Sequence, residues 1–140
     1  MLKNISPILS PELLKTLMEM GHGDELVLGD GNFPSASVAQ RLLRTDGHGV
    51  PELLDAILKL FPLDQYVDSP VALMDNGDSE NRPAIWVEYK SIVEKNEGDR
   101  QIELVERFAF YERAKKAYAV VATGETAIYA NVILKKGVVI

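Results

Sequence analysis

Five side chains in this sequence are of types that together can move protons and hold hydroxyl groups: His22, Asp30, Arg107, Tyr129 and Asn131. They supply a proton carrier, a carboxylate acceptor, a fixed multi-donor cation, a phenol and an amide. Histidine is the side chain whose unperturbed pKa, near 6.5, lets it trade protons close to neutrality. His22 lies between Gly21 and Gly23 in a bend, and Asp30 follows the short apolar run Leu26 to Leu28, so the two are expected close together on one turn-and-strand unit. Such a set suits an uncharged, polyhydroxylated ligand, with Phe33, Phe108 or Tyr111 available as an apolar wall. It suits a phosphoester or a redox cofactor poorly, because the chain has no Gly-x-Gly-x-x-Gly fingerprint, no Walker loop and no Gly-x-Ser-x-Gly elbow.

Each residue also admits a plainer reading. His22 can be a turn residue at a helix end, and Asp30 an Asx-turn residue of the Asp-Gly loop. Arg107 can pair with Glu106 or Glu103, and Tyr129 and Asn131 can form an exposed edge face. A second Gly-His-Gly, Gly47 to Gly49, reads as a turn. A metal site built from His22, His48 and a carboxylate finds no support in the spacing, so neither metal nor cofactor is expected.

The elements that must position these groups follow from caps and periodicity. Ser10 can cap a helix that has Pro11 at its first position, and Leu13, Leu14, Leu17 and Met18 repeat at helical spacing up to Gly21. That predicts a helix over 11–20. A strand is predicted at 26–28, a short helix at Ser35, and a last helical turn or a short strand at 41–44. Further helices are predicted over 51–61, 85–97 and 108–118, with strands at 71–74, 102–106, 119–122 and 128–134. Alternating strands and helices imply an α/β fold: one three-layer αβα sandwich with a largely parallel sheet, occupying residues 1–140 as a single domain. Ligands of open α/β sheets bind beyond the carboxyl ends of the strands, which selects Asp30 and Arg107. Tyr129 and Asn131, two apart on the last predicted strand, would share one face.

Composition narrows the function. The net charge of −6 disfavours a nucleic-acid partner, which draws affinity from clustered Lys and Arg. The absence of cysteine excludes disulfides, thiolate nucleophiles and cysteine-ligated metals, and suits a reducing, cytoplasmic setting. No signal peptide is visible, and no apolar run reaches the roughly 20 residues of a membrane span.

Several separated motifs carry a resemblance. They are Met1-Leu-Lys-Asn-Ile-Ser-Pro through Pro11-Glu-Leu-Leu-Lys, Glu19-Met-Gly-His-Gly-Asp-Glu, Asn32-Phe33-Pro34, Arg107-Phe-Ala-Phe-Tyr-Glu-Arg113, and Tyr129-Ala-Asn131 through Leu134-Lys-Lys-Gly137. In order and spacing they resemble the L-fucose mutarotase family, which also contains D-ribose pyranase; residues 65–101 are the least characteristic. The resemblance implies that His22 donates a proton and that Asp30, Arg107, Tyr129 and Asn131 contact a monosaccharide. It implies cofactor-free interconversion of sugar anomers, in a homo-oligomer of up to ten subunits with sites near subunit interfaces. The Arg107 to Tyr111 segment matches the fucose-type member and points to a 6-deoxyhexose. The rivals are a ribose pyranase and a non-catalytic sugar-binding module.

Overall fold

Local chemistry starts the first helix where the sequence predicts, whereas Ser35 is the first residue of its short helix and does not cap it. The Ser10 hydroxyl accepts the Leu13 N–H at 3.1 Å and Pro11 opens α1, Pro11–Glu19. The computed structural model describes all 140 residues. In chain order α1 is followed by β1 (Glu25–Gly29), α2 (Ser35–Val38), β2 (Leu42–Thr45), α3 (Val50–Leu58), β3 (Val71–Met74), α4 (Ile85–Glu97), β4 (Ile102–Val105), α5 (Arg107–Lys116), β5 (Ala119–Thr123) and β6 (Val132–Lys135). The 41–44 ambiguity resolves as strand. Gly21 does not end α1 in a left-handed conformation; the chain turns extended at Met20, and the positive φ belongs to Gly23.

The six strands form one sheet in the order β2-β5-β1-β6-β3-β4. β1, β2 and β5 run parallel, as do β3 and β4, and β6 is antiparallel to both β1 and β3. Five strands therefore share one direction and β6 alone opposes them. Alternate residues of the central strands point to opposite faces. Leu26, Leu28, Leu73, Val121, Val132 and Leu134 meet α1, α3 and α4 on one side, while Val27, Ala72, Val120 and Ile133 meet α5 on the other. These are the three layers expected from the alternating pattern. No helix is long and apolar enough to cross a membrane.

One expectation fails here. Residues 128–131 are not strand: β6 begins only at Val132, and Tyr129 has a positive φ of 52°. The carbonyls of Tyr129 and Ala130 are taken by the side chains of Trp86 and Tyr89, so they are withdrawn from any β ladder. Tyr129 and Asn131 are consequently loop residues rather than strand neighbours on one face.

Across the sheet, Arg113 of α5 reaches both Glu25 of β1 and Glu103 of β4. Arg113 is 24% exposed and Glu25 16%, so removing the cation leaves two carboxylates close together in a half-dry setting. Arg113→Ala is expected to lower the unfolding free energy by roughly 2–3 kcal/mol in urea denaturation; an unchanged value would show that the clamp contributes nothing.

Candidate active site

Because five strands are parallel, the ends of β1 and β4 lie on the same edge of the sheet as the start of β6. This brings Asp30, Arg107, Tyr129 and Asn131 around one cavity of about 240 Å³, with Asn32, Phe33, Met74, Tyr111 and Ile128 completing its walls. The largest concavity, about 660 Å³ between α4 and β4, contains none of the four. The convergence of polar groups favours the smaller one.

Asp30 is 4% exposed, and its polar atoms are held from three directions. Its N–H donates to Asn131 Oδ1 at 2.8 Å, its Oδ1 accepts the Asn32 N–H at 3.0 Å, and its Oδ2 accepts the Ala130 N–H at 3.2 Å. Burial pushes its carboxyl above the ordinary value, against the pull of those amides and with added repulsion from Glu125. The Asx-turn reading is thus correct for one oxygen, yet the same carboxylate lines the cavity. Asn131, 4% exposed, spends Oδ1 on Asp30 and directs Nδ2 at Met74 Sδ, 3.7 Å away. Its first task is to hold Asp30.

Arg107 opens α5, whose first amides at Phe108 and Ala109 are capped by Glu106. The plainer reading of Arg107, a pairing with Glu106 or Glu103, does not hold. Its Nε donates to the Tyr111 hydroxyl at 3.2 Å, and its guanidinium lies 5.1 Å from the Phe108 ring and 5.6 Å from the Tyr111 ring. The cation is left with free donors at the cavity. Phe33 and Tyr111, ring centroids 5.7 Å apart, form the aromatic wall. Phe108, 64% exposed, is not part of it.

His22 is elsewhere. It precedes β1, whereas Asp30 follows it, and the five-residue strand between them spans roughly 16 Å. The expectation that the two stand close together is therefore wrong: the strand joining them is extended and carries them to opposite edges of the sheet. His22 instead pairs with a residue that sequence reasoning missed. Its Nε2 lies 3.0 Å from Asp64 Oδ1, and its ring is 5.5 Å from that of Tyr66. Asp64 is 3% exposed while the imidazole is 46% exposed, so a buried carboxylate orients an open ring. Burial pushes the Asp64 carboxyl up, but the Tyr66 amide, the His22 imidazole and Lys135 together bring it below its usual value. Asp64 gave no signal because it follows Pro62 in an aperiodic loop. His48 pairs with Glu52 at 3.0 Å at the start of α3, away from both groups, and no three His, Asp or Glu side chains converge on a metal position.

The arrangement offers two separate constellations: a cleft with a buried carboxylate, a phenol, a guanidinium and an aromatic wall, and an oriented His–Asp pair at the opposite end of β1. Residues 3–139 match the RbsD / FucU transport protein family. The chain is 54% identical to the fucose mutarotase of Homo sapiens, over 98% of this chain and 94% of that one. It is likewise 54% identical to the L-fucose mutarotase of Actinobacillus pleuropneumoniae serotype 5b, over 99% and 97%. The crystal structure of the Streptococcus pneumoniae fucose mutarotase in complex with L-fucose superposes with a TM-score of 0.95 at 57% identity, covering 99% of this chain and all of that one.

The His22–Asp64 pair makes a prediction about acid. The folded Asp64 carboxyl lies below its ordinary value of 3.8. Its stabilisation is complete above that value and is lost as pH falls through the folded one. Urea titrations at neutral pH and at pH about 3 are expected to show Asp64→Asn losing stability mainly at neutrality and falling less than the parent on acidification. Parallel losses at both pH values would sever the carboxylate from this dependence.

Proposed function

The chain belongs to the RbsD / FucU transport protein family, and we propose that it interconverts the α and β anomers of L-fucopyranose as a cofactor-independent isomerase. The observation that carries this reading is the cavity at the sheet edge, where buried Asp30, open-handed Arg107 and Tyr129 face an apolar wall of Phe33, Met74 and Ile128. Alternating donors and acceptors beside an apolar surface match a deoxysugar, which has hydroxyls on one part of its rim and a methyl on another. Relatives named for fucose at 54–57% identity over nearly the whole chain favour it over ribose.

Anomerisation needs a proton removed from the anomeric hydroxyl and another delivered to the ring oxygen. The ring opens to an aldehyde, which rotates and recloses on its other face; no bond to the protein forms. We assign His22 as the donor of the proton to the ring oxygen, acting as base in the reverse direction, with Asp64 holding its ring; the proton leaving the anomeric hydroxyl passes to water at the open cleft. Asp30 and Arg107 bind sugar hydroxyls, Tyr129 fixes the ring at the cleft, and Asn131 serves by fixing Asp30. One β strand separates His22 from the cleft of its own chain, so His22 of a neighbouring copy completes each site. This requires a homo-oligomer, and a closed ring in which each copy offers its cleft to one neighbour and its His–Asp pair to the other satisfies every site. Exposed Tyr66 beside His22, and Phe108 and Ile128 at the cleft rim, are apolar surface suited to such contacts. The cysteine-free sequence accords with a cytoplasmic setting.

NMR saturation transfer between the anomeric protons of L-fucose is expected to show exchange far above the buffer rate, and His22→Ala is expected to reduce it by roughly 10²–10⁴-fold with sugar binding retained. Binding without any accelerated exchange in the parent would leave only a sugar-binding module. Co-refolding inactive His22→Ala with inactive Asp30→Ala should regenerate about one quarter of the sites, since a random mixture places two intact halves together that often. Absence of recovery in a properly assembled mixture contradicts the shared site.

A further inference from the structure

A tyrosine with φ of 52° is held in a region that L side chains resist. Two neighbouring bonds show what holds it. Trp86 Nε1–H donates to the Tyr129 carbonyl at 2.8 Å, and three residues further along α4 the Tyr89 hydroxyl donates to the Ala130 carbonyl, also at 2.8 Å. Residues three apart share a helix face, so α4 presents two donors to two consecutive carbonyls. The Ala130 amide between them donates to Asp30 Oδ2. Trp86 is in turn flanked by the Arg82 guanidinium, 5.4 Å from its ring, which is anchored on Asp75 and Asn76. Trp86 itself does not line the cleft.

We infer that Trp86 is a positioning residue for anomer exchange: its indole N–H, with the Tyr89 hydroxyl below it, locks the Tyr129–Ala130 backbone so that the Tyr129 phenol faces the cleft and the Ala130 amide meets Asp30. The inference rests on the fucose reading above for its kinetic consequence, though not for its structural one. An indole ring would serve mere packing equally well without a donor, and chemistry separates the two roles. In glutamine the side-chain N–H lies as many bonds from Cβ as in tryptophan, but without the ring; phenylalanine keeps a ring and lacks the donor.

The assembled parent, Trp86→Phe and Trp86→Gln are compared by saturation transfer at saturating L-fucose, by sugar affinity, and by the backbone chemical shifts of Tyr129, which report its left-handed conformation in the free protein. Expected are a roughly 3–10-fold slower saturated exchange in Trp86→Phe with affinity within about twofold, Tyr129 shifts displaced towards ordinary values, and recovery of both in Trp86→Gln. Trp86→Phe at the parent rate with unmoved Tyr129 shifts, or Trp86→Gln as impaired as Trp86→Phe, would overturn the inference. A parent without exchange would refute the fucose reading alone, and the Tyr129 shifts would still decide the positioning role.

Discussion

The cleft depends on one buried carboxylate. Asp30 ends the central strand β1 with its amide on the Asn131 side chain and its oxygens on the amides of Asn32 and Ala130. Two loops far apart in sequence are thereby fastened through a single side chain. The neighbouring backbone adds a second tie: the Gly31 N–H donates to the Glu125 carbonyl at 2.8 Å, where a Cβ would stand 2.9 Å from that oxygen. Glu125 also accepts the first amide of α3, Val50 N–H, at 3.1 Å. The loop from Gly124 to Asn131 is thus fixed from β1, α3 and α4 together. A buried polar network of this kind is costly unless its members are satisfied, and here the satisfaction of Asp30 leaves its carboxylate at the cavity with its charge disfavoured by burial.

The carboxylate beside His22 is driven the other way. Asp64, as buried as Asp30, is held below its ordinary value because an imidazole and an amide face it. Environment alone thus drives the two carboxyls apart, Asp30 upward by burial at the cleft and Asp64 downward beside a histidine. The two lie at opposite ends of β1, so under the proposed reading a second copy must supply the histidine to each cleft.

Much of the fold was legible because its signals are local. Ser10-Pro11 announces a capped helix, the continuous apolar runs at 26–28 and 119–122 announce strands buried on both faces, and the strand-end rule selects Asp30 and Arg107, which the structure brings to one cavity. The failures share a cause in contacts between distant segments. Ile128 to Asn131 reads as strand from its alternation, yet donors from Trp86 and Tyr89, some forty residues earlier, take its carbonyls. Nothing in the sequence around Asp64 marks it as the partner of His22, 42 residues away. His22 and Asp30 are near in sequence but far in space because the five residues of β1 between them are extended. The antiparallel insertion of β6 between β1 and β3 is equally invisible locally, since an apolar run carries no direction.

A structure of the assembled protein bound to L-fucose tests the central claim most directly. The sugar is expected in the cleft of Asp30, Arg107 and Tyr129, with the imidazole of His22 from a second copy within hydrogen-bonding reach of its anomeric or ring oxygen. Sugar seated there with no histidine of any copy near it, or bound instead beside the His22–Asp64 pair away from every cleft, would contradict it.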